Sequence, residues 1–476
     1  MLQLLHAFLE GIQVLVHGGI LAATQTSYFS LVSRVQSLAR KAPLVPCDAS
    51  LSEGRNEGMS KLLHTSDWHL GRTLYQHSRE EDFDAVLAEI VAIAQETVPD
   101  LIIHSGDLFD SSRPSSRDLI RAMRTLDQLA AVAPTVVLAG NHDSPAYFEF
   151  LNYVSGPSRG RGLFFVDQLC PAEDGGILTF PACGGEQRIR LAVMPFVHPN
   201  RFWRRSSAFG PAHADAAEGM RAVQAELMAA LQEGADPDRD VLVFAAHVFV
   251  AGATLSHSER AVDVDEAYAI PPADLPQVSY AALGHIHGPQ TLHTNGLGIA
   301  RYAGSPLQLD FGEVDDVKSV SIVQVDPGRP AKPVPRALAS GRRLHRFKGT
   351  LDELRARAAE FDAVFLKAEI NGEEPDARLT LKVAEIVPNA ILCRALPAGD
   401  AVGDLVVDPG PAETPTLPEA FRAYLADQGL TSGAAQSTVT AFAQLLGELD
   451  DETPPPPPSE RLLRAALEDR WTQEAS

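Results

Sequence analysis

Five short apolar runs, each closed by a polar or turn-forming cluster, set the rhythm of the chain between residues 60 and 290. They are Leu62-Leu63-His64-Thr65, Leu101-Ile102-Ile103-His104, Thr135-Val136-Val137-Leu138-Ala139, Val241-Leu242-Val243-Phe244-Ala245 and Tyr280-Ala281-Ala282-Leu283. Runs this short, rich in β-branched and large apolar residues, predict strands buried within the fold. Between them, Arg79 to Thr97 and Arg117 to Ala131 carry apolar residues at helical spacing, with Phe83, Val86, Leu87, Ile90 and Ile93 in the first. That spacing predicts helices packed on the sheets. Strands alternating with helices in this way predict an α/β or layered α+β domain.

The pattern changes after residue 325, where Pro327, Pro330, Pro333 and Pro335 predict a linker-like extended stretch. Residues 344 to 400 then read as a compact α+β module: a helix at Thr350 to Glu360, a strand at Ala363 to Ile370, a helix at Asp376 to Ile386 and a strand at Ala390 to Leu396. Leu417 to Leu449 reads as two amphipathic helices. Pro454 to Pro458 is a polyproline spacer, and Ser459 to Thr472 is a last helix or a solvated tail. At the other end, Met1 to Leu21 is apolar but broken by Gln3, His6, Glu10, Gln13 and His17, so it offers no uninterrupted membrane span. The first Lys or Arg of the chain is Arg34, which argues against a secretory signal. Residues 48 to 58 read as a polar linker before an abrupt strand, which makes Met59 the expected natural start; a genuine N-terminal helix is the alternative. The expected organisation is an extension at 1–58, a catalytic domain at 59–325, a small α+β domain at 340–405, a helical region at 413–450 and a proline-rich tail at 451–476.

Composition narrows the classes without naming one. A hydrophobic fraction of 45% and a charged fraction of 21% over 476 residues are those of an ordinary globular protein of two or three domains. The formal net charge of −22 excludes a chain that coats nucleic acid by charge alone. Cys47, Cys170, Cys183 and Cys393 form no CxxC pair, which suits reduced thiols in the cytoplasm better than a disulfide framework.

What distinguishes the chain is where polar chemistry follows the apolar runs: Asp67-Trp68-His69, Gly106-Asp107-Leu108-Phe109-Asp110, Gly140-Asn141-His142-Asp143, His247, and Gly284-His285-Ile286-His287. Singly each motif is weak; in this order, each at a strand end, they form a specific signal. Cleaving a phosphodiester requires a nucleophile made from water and relief of charge on the phosphoryl and leaving oxygens. Two divalent ions about 3.5–4 Å apart supply both. Such a pair needs a carboxylate to bridge it, for which Asp107 is the natural candidate, with neutral imidazoles and further oxygens completing each sphere. A mixed O/N donor set suits Mn²⁺, Fe²⁺ or Zn²⁺ rather than an all-oxygen Mg²⁺ cage. His64 and His104 lie inside strands and are read as core residues, or as supports behind the ligands, with no catalytic role.

Together these motifs, with Tyr302-Ala303-Gly304-Ser305-Pro306, resemble the calcineurin-like metallophosphoesterase superfamily over Leu62 to about Pro306. Thr65-Ser66-Asp67-Trp68-His69-Leu70-Gly71-Arg72, His247-Val248-Phe249-Val250-Ala251-Gly252-Ala253 and Ser256-His257-Ser258-Glu259-Arg260 are similar to its SbcD nuclease branch. The resemblance implies a layered α+β sandwich (α/β/β/α), followed by a small α+β DNA-capping domain and a C-terminal helical region that grips an ATPase coiled coil. It implies Asp67, His69, Asp107 and His287 around a first metal, and Asp107, Asn141, His247 and His285 around a second, with two Mn²⁺ ions as the activating pair. It also implies that His142 steadies the transition state or protonates the leaving oxygen. Asp143 could orient that ring or simply cap a helix. At Asp110 some relatives carry a second histidine, so its role here is unassigned.

The activity so implied is double-strand 3′–5′ exonuclease and single-strand or hairpin endonuclease cleavage of DNA, in repair, recombination and replication. The implied assembly is a homodimer within a heterotetramer containing an SbcC-type, SMC-like ATPase. The chain itself lacks the Gly-x-x-x-x-Gly-Lys-[Ser/Thr] loop of a nucleotide-binding site. Arg72, Tyr75 and Arg79, and the cluster Arg201, Trp203, Arg204 and Arg205, are candidate DNA contacts, or else surface arginines with ordinary duties. Two other readings stay open: a metallophosphoesterase acting on a small-molecule or nucleotide phosphoester, which shares the metal motifs, and a metal-free scaffold.

Overall fold

A computed structural model of the chain describes residues 58–396, with breaks at 157–159, 161, 198–215, 257–258, 260–268, 294–297 and 374–376. All but the last residue of the expected extension at 1–58, the expected helical region at 413–450, the tail at 451–476 and the cluster Arg201, Trp203, Arg204 and Arg205 lie outside the described residues.

All five apolar runs are strands: β1 (Ser60–Thr65), β2 (Leu101–His104), β3 (Thr135–Leu138), β7 (Asp240–His247) and β8 (Tyr280–Gly284). With β4 (Leu163–Val166), β11 (Ser319–Val325) and β12 (Lys332–Ala337), the first three build one six-stranded sheet of order β12-β11-β1-β2-β3-β4. The other two join β5 (Ile177–Ala182), β6 (Gln187–Met194), β9 (Gln290–His293) and β10 (Ile299–Tyr302) in a second, of order β5-β6-β7-β8-β10-β9. The central strands β1-β2-β3 and β6-β7-β8 pair in parallel, so the carboxyl ends within each set share an edge.

Alternate side chains of each strand enter different cores, which is why the runs read as continuously apolar. Leu62, Leu101, Ile103, Val136 and Leu138 of the first sheet pack against Ile189, Leu191, Val241, Val243, Ala245 and Ala282 of the second. Their neighbours Leu63, Ile102 and Val137 face outward onto α1 (Glu80–Thr97) and α2 (Ser116–Ala130), where Phe83, Val86, Ile90, Ala122 and Leu126 cover them. The next helix, α3 (Pro145–Ser155), adds Phe148 to the same cluster, edge-on to Phe165 of β4. On the opposite side Phe244, Ala246, Ala281 and Leu283 meet Val223, Leu227 and Leu231 of α4 (Ala216–Gln232). The result is the expected α/β/β/α layering. Among the described residues no helix is long and apolar enough to cross a membrane.

The first helix ends with Val98 in the left-handed conformation, φ 43°, its N–H capping Ala94 O. A β-branched residue is costly there, so Val98→Gly is expected to stabilise the protein by about 0.5–1 kcal/mol. The gain would read as a higher urea midpoint at unchanged slope. A lower midpoint would mean that packing of the valine side chain outweighs backbone strain.

The proline-rich stretch departs from the sequence reading. Residues 332–337 are not linker but the edge strand β12, paired antiparallel to β11 with Pro333 opposite Val323 and Pro335 opposite Ser321. Prolines two apart fall on the same side of an edge strand, where the missing N–H groups need no partner. The chain then runs directly into the small module, a parallel sheet of β13 (Arg343–Gly349), β14 (Val364–Asn371) and β15 (Ala390–Leu396). Its helices are α5 (Leu351–Ala356), started by a capping box between Thr350 and Glu353, and α6 (Ala377–Ile386). Leu344 and Phe365 of the module share a buried cluster with Leu74 and Phe311 of the main body.

Candidate metal centre

The seven expected ligand residues come from loops or strand ends at the carboxyl edges of the two sheets: Asp67 and His69 after β1, Asp107 after β2, Asn141 after β3, His247 at the end of β7, and His285 and His287 after β8. Parallel strands of open sheets place their catalytic loops at this edge. Four of the seven have positive φ: Asp67 at 51°, His69 at 47°, Asp107 at 54° and His285 at 106°. Residues other than glycine adopt such conformations at a cost, and they cluster where a site dictates the backbone. Two glycines provide the room. A Cβ at Gly140 would overlap Asp107 Oδ1 and its amide nitrogen, and a Cβ at Gly106 would overlap the His247 ring.

The donor atoms converge on Asp107. Its Oδ2 lies 3.4 Å from His69 Nε2 and 3.5 Å from His247 Nε2, while its Oδ1 accepts from the His142 amide at 2.9 Å. On one side His69 Nε2 faces His287 Nε2 at 3.1 Å, and Asp67, His69 and His287 offer donor atoms within 4.8 Å of one another. On the other, Asn141 Oδ1 is 2.8 Å from His247 Nε2 and 3.1 Å from His285 Nδ1. His247 Nδ1 is 2.9 Å from Ser105 O, so its proton sits on Nδ1 and the Nε2 lone pair points into the cluster.

Electrostatics agree with a site built for cations. Burial, then the neighbouring Asp107, pushes Asp67 well above the ordinary carboxylate range. Burial also works to raise Asp107, but the imidazoles of His247, His142 and His69 outweigh it and hold this carboxyl well below its usual value. Burial lowers His247, keeping it a neutral donor. A buried carboxylate facing two imidazole nitrogens and a pair of ring nitrogens at hydrogen-bond distance are costly arrangements unless positive charge sits among them. The residues present therefore fit divalent ions in two adjoining positions joined through Asp107.

His142 belongs to the same cluster. Its ring packs edge-on to His69 at 4.6 Å between centroids, and a donor atom lies within 4.8 Å of those of His69 and Asp107. Its Nδ1 donates to Asp110 O at 2.8 Å, which fixes the orientation of the ring. Asp110, unassigned from sequence, thus supports two rings, since its Oδ1 also lies 3.3 Å from His69 Nδ1. No sequence signal marks a backbone carbonyl in this role.

Asp143 acts differently from the expectation. Its carboxylate accepts from the amides of Gly140, Leu108 and Phe109 at 2.9–3.0 Å, clamping two ligand loops together, and Ser144 rather than Asp143 occupies the N-cap position of the following helix α3. Burial and the nearby Asp107 push it up to about 7 against those three bonds. His64 and His104 are core residues as expected, fully buried and lowered to about 3 by desolvation. His64 bridges Tyr280 and Ser105, and His104 packs edge-on to Trp68.

Of the three candidate DNA contacts among the described residues, Arg79 is withdrawn. It is 2% exposed, paired with Asp82 at 2.6 Å, and donates to Gln308 O and Arg342 O, so it ties the small module to the main body. Arg72 is partly exposed and 3.3 Å from Asp110, and Tyr75 is 47% exposed beside Asp310, so both remain on the accessible rim.

The family described as calcineurin-like phosphoesterase matches residues 60–289, the span that carries all seven residues. A Bacillus subtilis (strain 168) protein that bears the name of the SbcD component of nuclease SbcCD is 32% identical over 301 residues, 60% of this chain and 72% of that one. Its namesake in Escherichia coli (strain K12) is 33% identical over 292 residues, 56% of this chain and 66% of that one. The Rhodobacter capsulatus protein of the same name is 29% identical over 296 residues, 58% of this chain and 69% of that one. With its two-sheet sandwich and its strand-end cluster, the chain belongs to the calcineurin-like phosphoesterase family, on the branch formed by the SbcD proteins.

Proposed function

We propose that this chain is the nuclease subunit of an SbcCD-type complex, hydrolysing DNA phosphodiesters at a two-metal centre. The observation that carries the reading is the convergence of two donor groups on the Asp107 carboxylate. Asp67, His69 and His287 would hold one ion, Asn141, His247 and His285 the other, and Asp107 both; Mn²⁺ fits their mixed oxygen and nitrogen donors. When bound, such a pair supplies an activated water and neutralises charge on the phosphoryl group. His142, its Nδ1 fixed by Asp110 O, would present Nε2 to the phosphate; in its imidazolium form, with both ring nitrogens protonated, it would hydrogen-bond or hand a proton to the leaving oxygen and be left as the neutral Nδ1–H ring. The glycine-lined loops and the Asp143 clamp hold these groups in place, and Arg72 and Tyr75 would touch the DNA backbone.

The relatives' shared name points to a partner, and an SbcC-type ATPase gripping the region at 413–450 accounts for the net charge of −22 by supplying much of the DNA-binding surface. In that assembly the chain acts as a homodimer, cutting duplex ends as a 3′–5′ exonuclease and single strands or hairpins as an endonuclease, in repair, recombination and replication within the cytoplasm. The test is Mn²⁺-dependent cleavage of labelled single-stranded and hairpin DNA by the purified chain, alone and with the ATPase, beside a chromogenic phosphodiester. Cutting of the DNA is expected. Turnover of the small ester with DNA left intact even in the presence of the ATPase would move the function to a small-molecule or nucleotide phosphoesterase.

A further inference from the structure

His287 is fastened through its amide, its carbonyl and its Nδ1. Its amide donates to Glu259 Oε1 at 3.1 Å, and its carbonyl accepts from Lys318 Nζ at 2.9 Å and from the Ser305 amide at 3.1 Å. Its Nδ1 lies 3.4 Å from Glu313 Oε1. Its Nε2 faces His69 Nε2 inside the cluster at 3.1 Å.

Glu313 is fully buried at the end of the short turn Phe311–Glu313, more than 20 residues beyond the last ligand motif of the site. Its second oxygen takes Lys318 Nζ at 2.6 Å and the Leu309 amide at 3.0 Å, and Gln308 Nε2 donates to its carbonyl. A carboxylate this deep stays charged only where a cation and hydrogen bonds repay its desolvation. Lys318, itself 5% exposed, is that cation. An anion fixed at Nδ1 selects the tautomer with its proton there and leaves the Nε2 lone pair for a metal; such outer partners typically set metal affinity by about 10–100-fold.

We propose that Glu313, held in place by Lys318 and the Leu309 amide, is a positioning residue that fixes His287 as the Nδ1-protonated, Nε2-donating imidazole and so sets the affinity of one of the two metal positions. The inference rests on the two-metal reading of the cluster. It also assigns a use to an acid–base pair that no strand-end motif contains.

Glu313→Gln alone would strand Lys318 in the interior, so the working variant is Glu313→Gln with Lys318→Met, which removes both charges at similar volume. Two measurements on the full chain decide the matter. In the metal-free protein, ¹⁵N spectra of labelled histidines, with His287 assigned by its absence in His287→Gln, are expected to show Nδ1–H in the wild type and a shift toward Nε2–H in the double variant. In Mn²⁺ titrations followed by calorimetry, one ion is expected to bind about 10–100-fold more weakly in the folded double variant and the other as before. An Nε2–H form in the wild type, or a folded variant with unchanged affinity at both positions, would overturn the proposal. A wild-type chain that binds no Mn²⁺ would sink the two-metal reading, while the spectra, recorded without metal, would still decide for or against Glu313.

Discussion

Asp107→Asn is expected to stop Mn²⁺-dependent hydrolysis, lowering turnover by more than about 10³-fold, and to cost both ions together rather than one. Asp107 is the residue that both donor groups share, 3.4 Å from His69 Nε2 and 3.5 Å from His247 Nε2 through the same oxygen. Asparagine keeps the volume and can still accept the His142 amide, but it offers one neutral oxygen where two cations need a negative one. Calorimetry reads the loss as stoichiometry, and thermal melting reads it independently. A ligand that binds only the folded state adds about 2.7 kcal/mol when free in hundredfold excess over its dissociation constant. Mn²⁺ should therefore raise the melting temperature of the wild type and leave that of Asp107→Asn unmoved. An asparagine variant that keeps two ions near wild-type affinity would show that Asp107 does not bridge. By contrast, His287→Ala should spare the ion on the Asn141 side, since that group shares no donor with His287 other than through Asp107.

Buried strands announce themselves in the sequence because both faces of β1, β2, β3, β7 and β8 are covered, so their apolar runs are uninterrupted and their ligands follow within a few residues. The small module is legible only in part: α6, β14 and β15 fall where expected, but the first strand β13 goes unread and the helix expected over 350–360 ends at Ala356 before a separate turn. Edge pairing is not written in composition: the prolines at 333 and 335 look like linker because the feature that makes them tolerable, an unpaired outer side, belongs to the sheet. Long-range contacts are hidden for a similar reason. Arg79 reads as a phosphate contact at a helix start, yet besides Asp82 it is closed over by Gln308 and Arg342, from segments more than 200 residues away. Asp143 sits beside His142 in sequence, and proximity suggests that it orients the ring; the atom that does so is a carbonyl 32 residues earlier.

His142 separates a proton donor from a mere neighbour of the metals. His142→Ala is expected to lower turnover on DNA by about 10²–10⁴-fold while both Mn²⁺ ions still bind. The fold should tolerate it, because the contact of residue 142 with Asp107 is made by its amide, and the Asp143 clamp on Gly140, Leu108 and Phe109 does not involve the ring. The decisive comparison is between leaving groups. A deoxyribose alkoxide needs a proton as it departs, whereas a nitrophenolate leaves unassisted, so a donor's removal should hurt DNA far more than a nitrophenyl phosphodiester. Equal losses on both substrates with the ions retained would instead assign the ring to charge stabilisation at the phosphoryl oxygens, common to both reactions. Loss of one ion in the calorimeter would make His142 an eighth ligand, an outcome its placement within 4.8 Å of His69 and Asp107 donors makes worth measuring directly.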